Sequence, residues 1–238
     1  DHPAPELLPG GPGRSGLRAA VYGLPELHRD ELSEARIVAS PGCYPTAALL
    51  ALAPLARAGL IGEVIVDAKS GVSGAGREAK QGSLFGEVNE SVAAYGLAGH
   101  RHGAEMRQEL GILGVPPHVR DELLFLPHLV PMTRGILATC HVRPTRPVSQ
   151  AELDELLAAA YAEEPFVAIA GGSPATKSVT GANLARVHLH LDERSGRIVA
   201  LGVVDNLVKG AAGQAVQAFN VAAGLPETLG LGQLPLFP

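Results

Sequence analysis

Glycine and proline punctuate this chain from end to end. There are 29 glycines and 19 prolines, together 48 of 238 residues, interleaved with strongly apolar segments rather than gathered in one tract. Such a chain can support only elements with frequent breaks between them. Its apolar content, 46% of residues against 18% charged, excludes a disordered reading and favours a loop-rich α/β protein. The length suits one large domain or two small ones, with a core that needs neither disulfides nor a metal.

Composition removes several classes of function. The formal net charge is −5, and nucleic-acid binding wants a basic face. Trp is absent and aromatic residues make up 4%, which leaves little to stack on bases. No apolar run reaches the ~18 residues of a membrane span. Asp1-His2-Pro3-Ala4-Pro5 has neither the basic start nor the apolar core of a signal peptide. Two cysteines make no disulfide scaffold, and a reducing cytoplasm is the expected setting.

Residues 1–18, rich in Pro and Gly, read as a loop. Pro25 opens a short helix to about Ala35, and Ile37-Val38-Ala39 is a short strand. Ala47–Ala58 carries a helical apolar pattern through Leu49, Leu50, Leu52 and Leu55, with Pro45 fitting its first turn. Val64–Val66 reads as a buried strand running into a glycine-rich loop, Lys69–Arg77. A helix is expected over Glu105–Leu113. Glu122–Val130 and Gly135–Arg143 read as strands joined by Pro131–Arg134 into an antiparallel pair. Ser149 and Glu152 form a capping box for a helix to about Tyr161. Ala185–Asp192 alternates as a strand with one wet face and turns into Arg197–Val204. A last helix spans about Val208–Ala223 and stops at Gly224. The fold class expected is α/β: a mixed, largely antiparallel sheet with helices packed on it.

Four segments could carry chemistry. Cys43 lies where a strand meets a helix N-terminus, whose free N–H groups favour thiolate and could hold an oxyanion. A buried structural cysteine is the competing reading there, and the preferred one for Cys140, inside an apolar strand. His100-Arg101-His102 stands at a helix start, and a histidine is the natural proton partner of a cysteine. His-x-His lacks a third ligand at a recognisable spacing, so no metal is expected. The loop Ser70–Gly76 would let a backbone approach a phosphate or nicotinamide closely. Asp205–Gln214 crowds polar groups among small residues before the last helix, with a simple Asp205 cap as the bland alternative.

Together, Pro41-Gly42-Cys43-Tyr44-Pro45-Thr46, Ser70–Arg77, His100-Arg101-His102, Pro127–Gly135 and Asp205–Gly210 resemble the N-acetyl-gamma-glutamyl-phosphate reductases, in that family's order and at compatible spacings. The resemblance implies a cysteine enzyme of arginine biosynthesis that uses NADP(H). Cys43 would displace phosphate from N-acetyl-glutamyl 5-phosphate, a small-molecule acyl phosphate. The thioester would be reduced, and His100 would handle the proton. By the same resemblance, Ser70, Gly71, Ser73, Gly74, Ala75 and Asn206 would lie beside the cofactor. Tyr95, His102 and Arg134 would contact substrate, with Arg101 competing with Arg134. It also implies a homo-oligomer, a dimer or tetramer.

Two departures stand out. Ser40 replaces the Asn usual before Pro-Gly-Cys, and no glycine fingerprint of a Rossmann domain follows a strand near Asp1. The chain therefore resembles the back two-thirds of the enzyme. Residues 1–42 would be the tail of the NADP-binding domain, 43–205 the catalytic and oligomerisation domain, and 206–238 a helix packing back on the cofactor domain. Two alternatives stay open: the related acyl-phosphate reductase of the aminoadipate branch of lysine biosynthesis, and an inactive oligomerising fragment.

Overall fold

The computed structural model describes residues 19–76, 78 and 80–236. The loop expected over residues 1–18, and Arg77 of the glycine-rich motif, lie outside these. The chain begins with β1 (Val21–Tyr22), α1 (Pro25–Ser33) and β2 (Val38–Ala39), the two strands pairing in parallel. There follow α2 (Cys43–Arg57), β3 (Ile61–Gly71), α3 (Phe85–Val88), β4 (Ala93–Ala94), α4 (Arg101–Ile112), α5 (Pro117–Arg120) and β5 (Leu124–Val130). The remaining elements are β6 (Ile136–Pro144), α6 (Gln150–Tyr161), β7 (Val167–Ile169), β8 (Ala185–Asp192), β9 (Arg197–Val204), a π-turn (Val208–Ala212) and α7 (Gly213–Ala222). Among the described residues no helix is long and apolar enough to cross a membrane.

Seven strands form one mixed sheet in the order β4-β5-β3-β6-β9-β8-β7. β3 runs parallel to β5, β7 runs parallel to β8, and the other pairings are antiparallel. The expected β5–β6 hairpin is corrected here: β3 lies between the two strands. Residues 131–135 arch over the end of β3, with Met132 and Thr133 carbonyls accepting from the N–H groups of Val72 and Ser73 at 2.9 and 3.1 Å. Gly71 permits this, because a Cβ there would lie 2.7 Å from the Arg134 nitrogen. The expected β8–β9 hairpin is present, and so is the Ser149 cap, whose Oγ accepts from Glu152 N–H at 3.2 Å.

The helix α2 lies against β6, β8 and β9 and is the centre of the core. It starts at Cys43, four residues before its apolar pattern begins. Leu49, Leu50, Leu52 and Leu55 are all fully buried, each worth about 2 kcal/mol of transfer energy. α6 packs beside it, and the Tyr161 hydroxyl donates to the Leu50 carbonyl at 2.6 Å. Every second residue of the central strands points to this side: Val64, Val66 and Ala68 on β3; Ala138 and Cys140 on β6; Val187 and Leu189 on β8. Their neighbours in sequence are half-exposed on the other face. Cys140 is thus a core residue, its thiol pushed up to about 12 by burial.

Candidate active site

The first turn of α2 is built for a reactive residue. Gly42 is its N-cap in extended conformation, and no cap side chain closes the turn. The N–H groups of Cys43 and Tyr44 lie at this open end and favour the ionised form of the Cys43 thiol. The N–H of Gly42 is taken by Glu105 Oε2 at 2.8 Å, and the Tyr22 hydroxyl donates to the same oxygen at 3.1 Å. Glu105 comes from α4, so one carboxylate ties two helices together beside the nucleophile.

Two close approaches confine Cys43. A Cβ on Gly42 would lie 2.6 Å from His102 Cδ2, so the imidazole sits flat against the nucleophile turn. A Cβ on Gly210, in the π-turn, would lie 2.9 Å from Cys43 Cβ. Burial pushes the Cys43 thiol up, and the Glu105 charge adds to this. The N–H groups of Tyr44 and Cys43 and the Arg101 charge oppose it without prevailing. This corrects the expectation of a thiol lowered by the helix terminus: the packed π-turn and α4 outweigh the N–H groups. A thiol held up by burial calls for a base beside it.

The base candidates are neutral imidazoles. His100 is the N-cap of α4, its Nδ1 accepting the His102 N–H at 3.2 Å. With Nδ1 occupied, the neutral ring carries its proton on Nε2 and offers a donor. Burial and then Arg101 hold His100 below the usual imidazole range. His102 is held at about 3 by burial, His100 and Arg101. Its Nδ1 is buried with no hydrogen-bond partner among the described residues, and its Nε2 stands 3.9 Å from Glu105 Oε1. The two rings lie 4.6 Å apart. Arg101 is exposed, with no carboxylate partner among the described residues, and its charge reaches Cys43 and both histidines.

The second cluster lies at the end of β3, where a Cβ on Gly74 would stand 2.7 Å from Ser70 Oγ and 3.7 Å from Asn206 Nδ2. Asn206 is buried, receiving the Gly135 N–H on Oδ1 at 2.7 Å and donating from Nδ2 to Ser73 Oγ at 3.0 Å. The turn carrying Ser73, Gly74 and Ala75 is thereby pinned, with Gly74 and Ala75 exposed. Ser70 and Gly71 prove to be the last residues of β3 rather than loop. Ser70 is buried and bonds to Gly71 O, so its hydroxyl faces protein. Asp205, fully buried, accepts from the N–H groups of Gly181 and Leu207 at 2.7 and 2.9 Å and holds Arg134 at 3.3 Å. Arg134 therefore has a fixed partner where Arg101 has none. Tyr95 stands in the first cluster, its hydroxyl donated to Tyr44.

Cys43, Tyr95, His100, Arg101 and His102 thus come together, beside a small-residue rim held by Asn206. Glu105 was not singled out from sequence. Its signal was present: three residues after His102 on one helix, it shares that histidine's face.

The family model for the semialdehyde dehydrogenase dimerisation domain matches residues 43–206. The chain belongs to that family. An N-acetyl-gamma-glutamyl-phosphate reductase of Citrifermentans bemidjiense is 50% identical over 242 residues, an alignment that covers all of this chain and 66% of that protein. The protein of that name from Rhodospirillum rubrum is 52% identical over 93% of the chain and 63% of its own length. The chain spans just under two thirds of these relatives. Aspartate semialdehyde dehydrogenase II from Vibrio cholerae matches with a TM-score of 0.68 over 85% of this chain and 68% of that one, at 19% identity. A probable aspartate-semialdehyde dehydrogenase from Pseudomonas aeruginosa gives 0.68 over 88% and 70%, at 18% identity. These semialdehyde dehydrogenase structures share the mixed-sheet fold.

Proposed function

We propose that this chain is the cysteine-bearing part of a reductase that converts N-acetyl-glutamyl 5-phosphate to the 5-semialdehyde with release of phosphate, in arginine biosynthesis. The observation that carries the reading is Cys43 on an uncapped helix N-terminus with the His100–His102 pair against it, in a chain half-identical to reductases of that name.

An imidazole of the His100–His102 pair takes the Cys43 proton, and the thiolate attacks the acyl carbon. The S–C bond forms, the C–O bond to phosphorus breaks, and phosphate leaves with the electron pair. Arg101, free of a carboxylate, is placed to meet the anionic group. The N–H groups at the α2 terminus and the Nε2–H of His100 face the charge that develops on the carbonyl oxygen. After reduction, the oxygen of the thiohemiacetal gives its proton to an imidazole of that pair, the C–S bond breaks, and Cys43 leaves with the electron pair and takes a proton back from the pair. This divides one hard displacement into two easier steps.

NADP(H), when bound, supplies the hydride. The residues present fit it: Ser73, Gly74 and Ala75 make a rim of small side chains fixed by Asn206 and backed by Ser70. Ser70 and Gly71 support the rim from β3.

The half-exposed face of the sheet fits a second copy of the chain. Ile65, Leu126, Leu137, Val199 and Leu201 are its apolar residues, set among Asp67, Lys69, Thr139 and His141. Glu63 bridges Arg143 and Arg197 along one border at 3.2 and 3.4 Å. In this reading residues 43–205 are the catalytic and oligomerisation domain, in a dimer or tetramer working in the cytoplasm.

The test uses the intact protein. Cys43→Ser should abolish phosphate-releasing turnover while leaving folding intact. His102→Asn should slow both Cys43 alkylation and turnover. His100→Asn should keep alkylation and lower turnover by ~10²–10⁴-fold. Turnover retained in Cys43→Ser refutes the covalent route, and the opposite histidine pattern reverses their roles.

A further inference from the structure

Aromatic side chains are scarce in this protein: four Tyr, five Phe and no Trp in 238 residues. Three of them surround one imidazole. Ring centroids of Tyr44, Tyr95 and Phe125 lie 6.0, 5.6 and 5.4 Å from His100, all edge-on. The core elsewhere is mostly Leu, Val, Ile and Ala, with Tyr22 and Tyr161 standing apart from this group. Edge-on rings fix the plane of a neighbour as well as exclude water from it.

The hydroxyls add direction. Tyr95 Oη donates to Tyr44 Oη at 3.0 Å, and Tyr44 Oη stands 3.1 Å from the His128 carbonyl. Tyr44 therefore passes its proton to a carbonyl and Tyr95 passes its proton to Tyr44. The run links three places: α2 one residue after Cys43, the segment leading to His100, and β5. That segment has little packing of its own. Gly96 and Gly99 sit at φ +62° and +131°, and Leu97 between them is 68% exposed. The β4 pairing and the Tyr95 N–H to Pro127 carbonyl bond at 3.0 Å hold it to β5, and the hydroxyl run ties it to the helix of Cys43.

We propose that Tyr44 and Tyr95 are a hydroxyl-linked positioning pair that holds the His100 imidazole in place and keeps water from the Cys43 pocket. The proposal rests on Cys43 as nucleophile and His100 as proton donor. The titratable and charged groups that bear on Cys43 are Tyr44, Tyr95, Arg101 and Glu105, with His102 against Gly42 and His100 beside it. If the pair loosens, the thiol is better hydrated and moves back toward its ordinary value. The histidine meanwhile is worse placed. The pair thus predicts an unusual combination: a thiol that ionises more readily in a slower enzyme.

The experiment measures the pH profile of Cys43 alkylation by iodoacetamide, with peptide mapping to separate Cys140, in Tyr44→Phe, Tyr95→Phe and the double variant. Tyr161→Phe is the control. It loses a buried hydroxyl bond of 2.6 Å under α2 but touches no site residue. The alkylation midpoint should fall by about 0.5 pH unit or more in Tyr44→Phe and less in Tyr95→Phe. The double variant should match Tyr44→Phe, because the tyrosines share one bond. Turnover should drop ~10-fold with KM within about twofold, the loss of one positioned hydrogen bond. Tyr161→Phe should lower the melting temperature and leave the profile unmoved. Midpoints that stay at the wild-type value, or that move equally in Tyr161→Phe, would overturn the proposal and leave the rings a packing role. Alkylation needs no substrate, so failure of the reductase reading shows separately, as turnover that survives Cys43→Ser.

Discussion

Lys209 offers the sharpest test of how the site is held. It is fully buried, and its Nζ lies 2.5 Å from Glu26 Oε1 and 2.6 Å from Gln217 Oε1. Glu26, on α1, is equally buried; Gln217 Nε2 also donates to its Oε1 at 2.9 Å. The pair therefore joins α1, α7 and the π-turn whose Gly210 backs Cys43. Lys209→Met removes the cation and leaves a buried carboxylate with one amide donor, while its other oxygen already has no partner among the described residues. Breaking a fully buried pair from one side costs about 3–5 kcal/mol. At roughly 2–4 °C per kcal/mol for a chain of this size, the melting temperature should fall by about 6–20 °C. Lys209→Met with Glu26→Gln removes both charges and should recover most of that loss. The sign with pH is fixed as well. Burial alone pushes Glu26 up, but the Lys209 charge and the bonds from Lys209 and Gln217 outweigh it and hold the carboxyl below its ordinary value. Its stabilisation is thus present above the ordinary carboxylate range of ~4.3 and lost as pH falls through the depressed value. Without Lys209 the carboxyl titrates higher and is neutralised first, so the gap between wild type and Lys209→Met should narrow on acidification. Urea unfolding followed by circular dichroism at pH 7 and pH 4.5 reads all three effects. A loss under about 1 kcal/mol, or a gap that widens in acid, would refute the reasoning.

Two further expectations follow from contacts already described. Gly42→Ala places a methyl where the His102 ring lies, 2.6 Å from Cδ2; the ring must move, so turnover should fall ~10²-fold, as for a misplacement of about 1 Å, while the melting temperature changes little. Leu201→Asp puts a charge among the apolar residues of the half-exposed sheet face; light scattering should report a monomer, and an unchanged mass would place the association surface elsewhere.

What the sequence showed and what it hid divide by range. The nucleophile helix was legible because its signals are local: Pro41-Gly42 ahead of Cys43, Pro45 in the first turn, and Leu49 to Leu55 on its buried side. The β8–β9 turn was legible for the same reason, through Glu193-Arg194-Ser195-Gly196. The β5–β6 hairpin failed because nothing in Pro131–Arg134 announces that β3, some sixty residues earlier, will enter between the two strands. Pairing of that kind is decided by the sheet as a whole. The thiol failed in a related way. A helix terminus can be read from sequence, but the π-turn and α4 that enclose it come from residues 208–212 and 101–112, and their burial outweighs the terminal N–H groups.

That reversal changes the chemistry the fold asks for. A lowered thiol would be a standing nucleophile, open to oxidation and alkylation at any time. A raised thiol beside two imidazoles kept neutral by burial stays protonated until the proton has somewhere to go. Neutral histidines do not hold a thiolate by charge; they accept and return a proton. On the proposed reading Arg101, exposed and with no carboxylate partner among the described residues, is the cation whose partner arrives with an anionic substrate. The site is thus arranged to be activated by what it binds. Its rate depends on the placement of the two imidazoles, and that placement rests on Gly42 on one side and on the Tyr44–Tyr95 pair on the other.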